Sequence, residues 1–328
     1  MDPSTTGGGR RGLTAAAVPD LVAAARDGRS RAVGRLLSLV EDESPLLPEV
    51  MRTLAPHVGH ARIIGLTGAP GVGKSTSTNA LVAELRRRGD RVAVLAVDPS
   101  SPFSGGALLG DRIRMSDHAT DSGVFIRSMA ARGHLGGLSW ATPQAMRVLD
   151  GAGFDVVLVE TVGVGQSEVE VAGHADSTVV LLAPGMGDGI QAAKAGILEI
   201  GDLYVVNKAD RDGASKVRRD LRSMLALAER PDQAWRPPVL MTTAASGDGV
   251  AAVVDALAEH RDWLTATGEL ERRRVRRVRD EIEALALGAL RRRWEAVGSD
   301  GRLDRLARAV VAGESDPYAA ADSLLPDA

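Results

Sequence analysis

Gly68-Ala69-Pro70-Gly71-Val72-Gly73-Lys74-Ser75 sets two glycines, a lysine and a hydroxyl at the spacing G-x-x-x-x-G-K-[ST]. An apolar run ending in Ile63-Ile64 precedes it, and a helical pattern begins at Lys74-Ser75-Thr76. In that strand-loop-helix context the glycines let the backbone curl until successive N–H groups face one oxyanion, and the helix that follows presents its positive end to the same point. Lys74 is then placed to reach the outer phosphates of a nucleotide and Ser75 to offer a hydroxyl to Mg²⁺. The alternative is a chance glycine-rich turn, which would not require the flanking strand and helix.

A nucleotide site also needs a group that chooses the base. Asn207-Lys208-Ala209-Asp210 follows the apolar run Leu203–Val206 and has the pattern N-K-x-D. The Asp210 carboxylate can accept both N–H groups on the Watson–Crick edge of guanine, whereas adenine would set an acceptor against it. Lys208 would lie along the base plane and Asn207 would tie this loop to the phosphate loop. Thr243-Ala244, after the last predicted strand, suits a turn whose backbone N–H meets the guanine oxygen.

The metal and γ-phosphate side is read from Glu160-Thr161-Val162-Gly163, at the end of an apolar run where most GTP-hydrolysing proteins carry D-x-x-G. Glu160 can reach Mg²⁺ or its water, though one methylene further than an Asp; the alternative is a solvated strand-end carboxylate. Gly163 can bring its N–H to the γ-phosphate. Asp98 ends the second predicted strand and is a metal-shell candidate. Asp111 either joins it or caps the helix expected from Arg112. No glutamine directly follows Gly163, and Gln166 stands three residues later, so slow hydrolysis assisted by a second segment or partner is expected.

The whole chain limits the remaining choices. It has 328 residues, 44% hydrophobic and 25% charged, a net charge of −3 and no cysteine. Disulfides and thiolate metal sites are therefore excluded, and the charge gives no general attraction to nucleic acid. No apolar run reaches membrane-spanning length and the amino end lacks a signal-peptide core, so a cytoplasmic protein without a membrane partner is expected.

Strands are predicted at 62–66, 91–97, 124–127, 156–160, 178–183, 203–207 and 239–242, with helices at 74–88, 143–151, 189–200, 215–229 and 250–266. Runs such as Val156-Val157-Leu158-Val159 are apolar on both faces, as strands covered by helices on both sides must be. The pattern predicts an α/β fold, a doubly wound and mainly parallel sheet, with helical extensions at both ends. The domain boundaries expected are a disordered leader 1–12, a helical extension 13–58, the nucleotide domain 59–268 and a helical arm 269–328. Arg272-Arg273-Arg274 and Arg291-Arg292-Arg293 in that arm are interleaved with glutamates and read as a solvated helix face rather than a nucleic-acid stripe. Leu270, Val275, Val278, Ile282, Leu285, Leu287, Leu290 and Trp294 make an apolar stripe suited to dimerisation.

The combined motifs, with Val97-Asp98-Pro99-Ser100-Ser101, Gly105-Gly106-Ala107-Leu108-Leu109-Gly110-Asp111-Arg112 and Glu160-Thr161-Val162-Gly163-Val164-Gly165-Gln166-Ser167-Glu168, resemble the MeaB/ArgK-type branch of the P-loop GTPases over roughly residues 30–325. That resemblance implies a GTPase chaperone of adenosylcobalamin-dependent acyl-CoA mutases, chiefly methylmalonyl-CoA mutase, that binds GTP or GDP with Mg²⁺ and forms a homodimer through its carboxyl-terminal arm. Adenosylcobalamin would belong to the partner, since this chain has no D-x-H-x-x-G loop. By the same resemblance Ser75, Asp98, Asp111 and Glu160 form the Mg²⁺ shell. The stretch Pro184–Gly196 looks like the family's additional switch, with Asp188 and Lys194 at its charged positions and Gly189 where relatives often carry a Glu. Rival readings are a nickel-delivering metallochaperone GTPase, which needs Cys/His ligands where this chain has no cysteine and only His57 and His60 as a close histidine pair, read as loop residues, and a transport-linked kinase of basic amino acids.

Overall fold

The computed structural model describes residues 13–99, 118, 120–131, 141–161, 173–185, 197–227, 231, 233–298 and 301–324. Three short helices, α1 (Val18–Arg26), α2 (Ser30–Glu41) and α3 (Leu47–Leu54), precede β1 (Arg62–Thr67) and α4 (Lys74–Arg87). There follow β2 (Val92–Pro99), β3 (Val124–Ala131), α5 (Ala141–Gly151), β4 (Val156–Thr161), β5 (Ser177–Leu182), α6 (Ile197–Ile200) and β6 (Leu203–Val206). The chain continues through α7 (Ala214–Ala226), β7 (Val239–Met241), α8 (Val250–Ala266), α9 (Glu269–Gly298), α10 (Arg302–Val311) and α11 (Pro317–Asp322).

The strands form one sheet of order β3-β2-β4-β1-β5-β6-β7, and every described pairing is parallel. The chain lays β2, β3 and β4 on one side of β1 and β5, β6 and β7 on the other. The reversal therefore falls at β1, and the crevice beyond its carboxyl end is where such a sheet binds ligands.

Because successive side chains point to opposite faces, doubly apolar strands feed two cores at once. Ile63, Ala93, Leu95, Val157 and Val159 pack with α1, α2, α3 and α5, so the amino-terminal helices are part of this core. Ile64, Leu66, Val94, Leu158, Val179 and Leu181 face the other way, against Leu81, Val82 and Leu85 of α4 and Val253, Val254 and Leu257 of α8. Residues up to Arg274 make one compact unit and those from Val275 a second. In the second unit Val275, Ile282, Leu287 and Leu290 are exposed. No helix among the described residues is long and apolar enough to cross a membrane.

The amino ends of the strands are held by carboxylates. Asp155 accepts from Arg91 N–H at 2.7 Å, Asp176 from Ile63 N–H at 3.1 Å and Asp202 from Thr178 N–H at 2.8 Å. Each aspartate immediately precedes its own strand and caps its neighbour. Arg273 grips Asp202 with two bonds of 2.9 and 3.0 Å, and Arg274 grips Asp176 at 2.9 and 3.3 Å while also donating to Ala61 O. The structure differs here from the solvated face expected of Arg272-Arg273-Arg274. Arg272 is a surface residue paired with Glu269, but Arg273 and Arg274 are largely buried parts of this lock rather than a solvated face. A helical-surface pattern could not reveal it, since the acidic partners lie about 70 to 100 residues earlier in the chain.

His260 sits beside the lock, fully buried, with Trp263 stacked on it at 5.9 Å and Trp235 tilted against it at 4.7 Å. Its Nδ1 lies 2.8 Å from Ser177 Oγ, and its Nε2 stands 3.4 Å from Asp202 Oδ1. Burial, aided by the Arg273 charge and opposed by Asp202 and Asp176, lowers its pKa from 6.5 to about 4.

Two outcomes are expected. Between pH 6.5 and about 4 the unfolded chain takes up a proton that the folded His260 refuses, so this residue's contribution to stability is intact above 6.5. It is lost as the pH falls through that window, by up to about 3 kcal/mol. Urea unfolding midpoints against pH should show the loss, and His260→Gln should flatten that part of the profile. Arg274→Ala leaves Asp176 buried without its counter-charge, and should lower the unfolding free energy by about 3 kcal/mol in the same assay.

Candidate functional site at the carboxyl edge of the sheet

The phosphate-binding motif occupies the turn from β1 into α4, at the switch point of the sheet. Gly68 has φ +144°, and a Cβ there would come within 2.3 Å of Leu181 O, so only glycine lets the loop pass β5 this closely. Gly73 has φ +93°, and a Cβ would meet Asn207 Nδ2 at 2.6 Å. Between them Val72 is fully buried and anchors the loop, while Pro70 and Gly71 remain exposed. Lys74 folds over the loop, its Nζ donating to Gly68 O at 2.7 Å and Ala69 O at 3.2 Å. Ser75 is half-buried and Thr76 faces solvent.

Glu160 lies at the end of β4, level with Leu66 of β1, and is 5% exposed. Such burial of a carboxylate requires donors. Ser75 Oγ donates to Oε1 at 2.8 Å, and Thr78 Oγ1 stands 2.8 Å from Oε2. Ser75 and Thr78 are three apart on α4, so one helix face presents both hydroxyls to one carboxyl group. Asp98 is in β2 beside β4, two positions beyond the level of Glu160. Asp111, Gly163, Gln166, Asp188 and Lys194 lie outside the described residues.

On the other side of the loop, Asn207 is 3% exposed at the end of β6. Its Nδ2 donates to Val72 O at 2.9 Å, and its Oδ1 accepts from Thr242 Oγ1 at 3.2 Å and from Ala244 N–H at 3.1 Å. Lys208 takes up φ +56°, an uncommon left-handed conformation for a residue with a side chain, and its Nζ reaches Gly71 O at 2.7 Å. Asp210 is exposed. Thr243 N–H bonds Asp248 O, so in this structure both N–H groups of the Thr243-Ala244 pair are engaged within the protein.

The structure thus brings together the phosphate loop, Glu160 and the Asn207–Asp210 segment at one edge, with two lysines beside the loop carbonyls. Among the described residues no three His, Asp or Glu side chains cluster as a ready-made metal cage. The donors beside the loop are instead a hydroxyl and a carboxylate, hard oxygen ligands of the kind that share Mg²⁺ with phosphates. The sequence reading missed Thr78. Its i, i+3 spacing from Ser75 was visible, but nothing in the sequence showed which helix face meets the end of β4.

A family model for the methylmalonyl Co-A mutase-associated GTPase MeaB matches residues 33–298. A protein of Pyrococcus abyssi named as a GTPase is 45% identical over 312 residues, covering 94% of this chain and 96% of that one. The GTPase ArgK of Escherichia coli K12 is 40% identical over 253 residues, covering 75% and 76%. Among solved structures, that of a LAO/AO transport system kinase covers 95% of this chain and 97% of its own, with a TM-score of 0.72 at 29% identity. The seven-stranded parallel sheet, the phosphate loop at its switch point and these matches together show that the chain belongs to the MeaB family of P-loop GTPases.

Proposed function

We propose that this GTPase is a nucleotide-gated chaperone of an adenosylcobalamin-dependent acyl-CoA mutase, most of all methylmalonyl-CoA mutase. It would control loading of the mutase cofactor and protect or reactivate the enzyme. The observation that carries the nucleotide part is the Ser75–Glu160 bond at the root of the phosphate loop, which puts a strand-end carboxylate beside the hydroxyl that follows the loop lysine. The partner is supported by the family's own description as mutase-associated.

In this reading the loop amides and Lys74 bind the phosphates, and Lys74 exchanges its two carbonyl partners for phosphate oxygens. That exchange costs little side-chain entropy, because the ammonium is already held at the mouth of the loop. Ser75 and Glu160, with Asp98 and Asp111 as further carboxylates, would hold Mg²⁺, which neutralises charge on the phosphate oxygens. Asp210 pairs with the guanine N–H groups while Lys208, bridged to Gly71, lies along the base. A guanine-oxygen donor from Thr243-Ala244 requires one of those N–H groups to change partner. Gly163 and Gln166 are assigned to the γ-phosphate and the attacking water, and Asp188 and Lys194 to coupling with the mutase. The exposed apolar residues from Val275 to Leu290 support a homodimer.

Asp210→Asn replaces an acceptor pair by one acceptor and one donor, and should weaken GTP binding about a hundredfold by calorimetry. ATP should bind the parent protein no better than GTP binds this variant. Single-turnover hydrolysis by the isolated protein should be slow and should accelerate when an adenosylcobalamin-dependent mutase is added. A fast intrinsic rate would count against a partner-supplied group. Capture of a nickel enzyme instead of a mutase, using the GTP-analogue-bound protein in native extract, would overturn the proposed partner.

A further inference from the structure

Among the described residues two hydroxyls bond the Glu160 carboxylate, those of Ser75 and Thr78, and only Ser75 belongs to the phosphate-binding motif. Thr78 is fully buried, one helical turn beyond Ser75. Its hydroxyl lies 2.8 Å from Glu160 Oε2 and 3.1 Å from Lys74 O. It has a single proton to give, and the carboxylate is the stronger acceptor, since bonds to an ionised oxygen are about twice as strong as neutral ones. Lys74 O already lies in the α4 ladder, whereas the carboxyl oxygen is buried and needs a donor. A glutamate carboxyl turns easily about its last torsion, so two donors, one on each oxygen, set its plane where one would not.

We propose that Thr78 is a positioning residue for the cation site. By holding Oε2 it fixes the Glu160 carboxylate so that Oε1 stays at Ser75 Oγ, ready for Mg²⁺. The proposal rests on the reading of Ser75 and Glu160 as the cation-binding pair. Thr78 touches neither nucleotide nor cation. Its influence is confined to how well a pre-set carboxylate meets the metal, which distinguishes it from Ser75 itself.

The test is release of a fluorescent GDP analogue over a magnesium titration, with no turnover involved. In the parent protein Mg²⁺ should slow release. Thr78→Val removes the hydroxyl at nearly constant volume and should raise the Mg²⁺ concentration for half-maximal effect roughly tenfold. Affinity measured in EDTA should stay within about twofold, and Thr78→Ser should restore most of the parent's magnesium response. Thr78→Ala is measured in parallel, so that whichever apolar variant keeps the parent's unfolding profile carries the comparison. A parent-like magnesium midpoint in that variant would overturn the role of Thr78 while leaving the GTPase site intact. An equal loss of affinity in EDTA would also overturn it, because it would mean that Thr78 merely shapes the loop. If the parent itself bound GDP without any magnesium effect, the cation site would fall, and Thr78's role with it.

Discussion

The bonds of Asn207 are the constraint on which the nucleotide edge depends. One nearly buried amide donates to the phosphate loop and accepts from two groups following β7, so it joins the ends of β1, β6 and β7 into one rigid rim. No apolar residue could do this, because Val72 O and Ala244 N–H would then be left without partners. The same amide sits where a Cβ at position 73 would fall, so the Asn and the Gly answer each other across 134 residues. Gly68 does the same against the backbone of β5. The loop is thus shaped by neighbouring strands as well as by its own glycines.

The two edges of the sheet solve different problems. At the carboxyl edge, exposed loop residues stand beside polar side chains that bond loop carbonyls, as Lys74 does with Gly68 O and Ala69 O. At the amino edge the aspartates preceding β4, β5 and β6 cap backbone N–H groups, and Arg273 and Arg274 neutralise two of them. Neutral His260, clustered with two mutually contacting indoles, completes that base.

Much of this was legible beforehand. The strand set was read within one or two residues at most ends, because doubly apolar runs of four to six residues bounded by Gly, Asp or Pro have few other uses in a soluble α/β protein. Helix α8 ran from Val250 to Ala266 as expected, between Gly249 and Gly268. Arg273 and Arg274 of α9 depart from the expected solvated face for a physical reason. A helix whose surface is rich in both charge signs has the same pattern whether its arginines meet water or a distant buried acid, and periodicity measures only the helix's own face.

By itself the sequence determined the groups that this chain can offer: a phosphate-loop motif, the Asn207-Lys208-Ala209-Asp210 segment with its carboxylate, a strand-end glutamate and the alternating elements that deliver them to one edge. These are local matters of residue type, spacing and period. Only the tertiary structure decided that Thr78 shares Glu160 with Ser75, that Asn207, besides its expected tie to the phosphate loop, also accepts from Thr242 and Ala244 beyond β7, and that Arg273 and Arg274 lock the far side. Such pairings depend on which faces of separate elements come to touch, and that is settled by packing among residues scores to hundreds of positions apart, where the sequence carries no local sign.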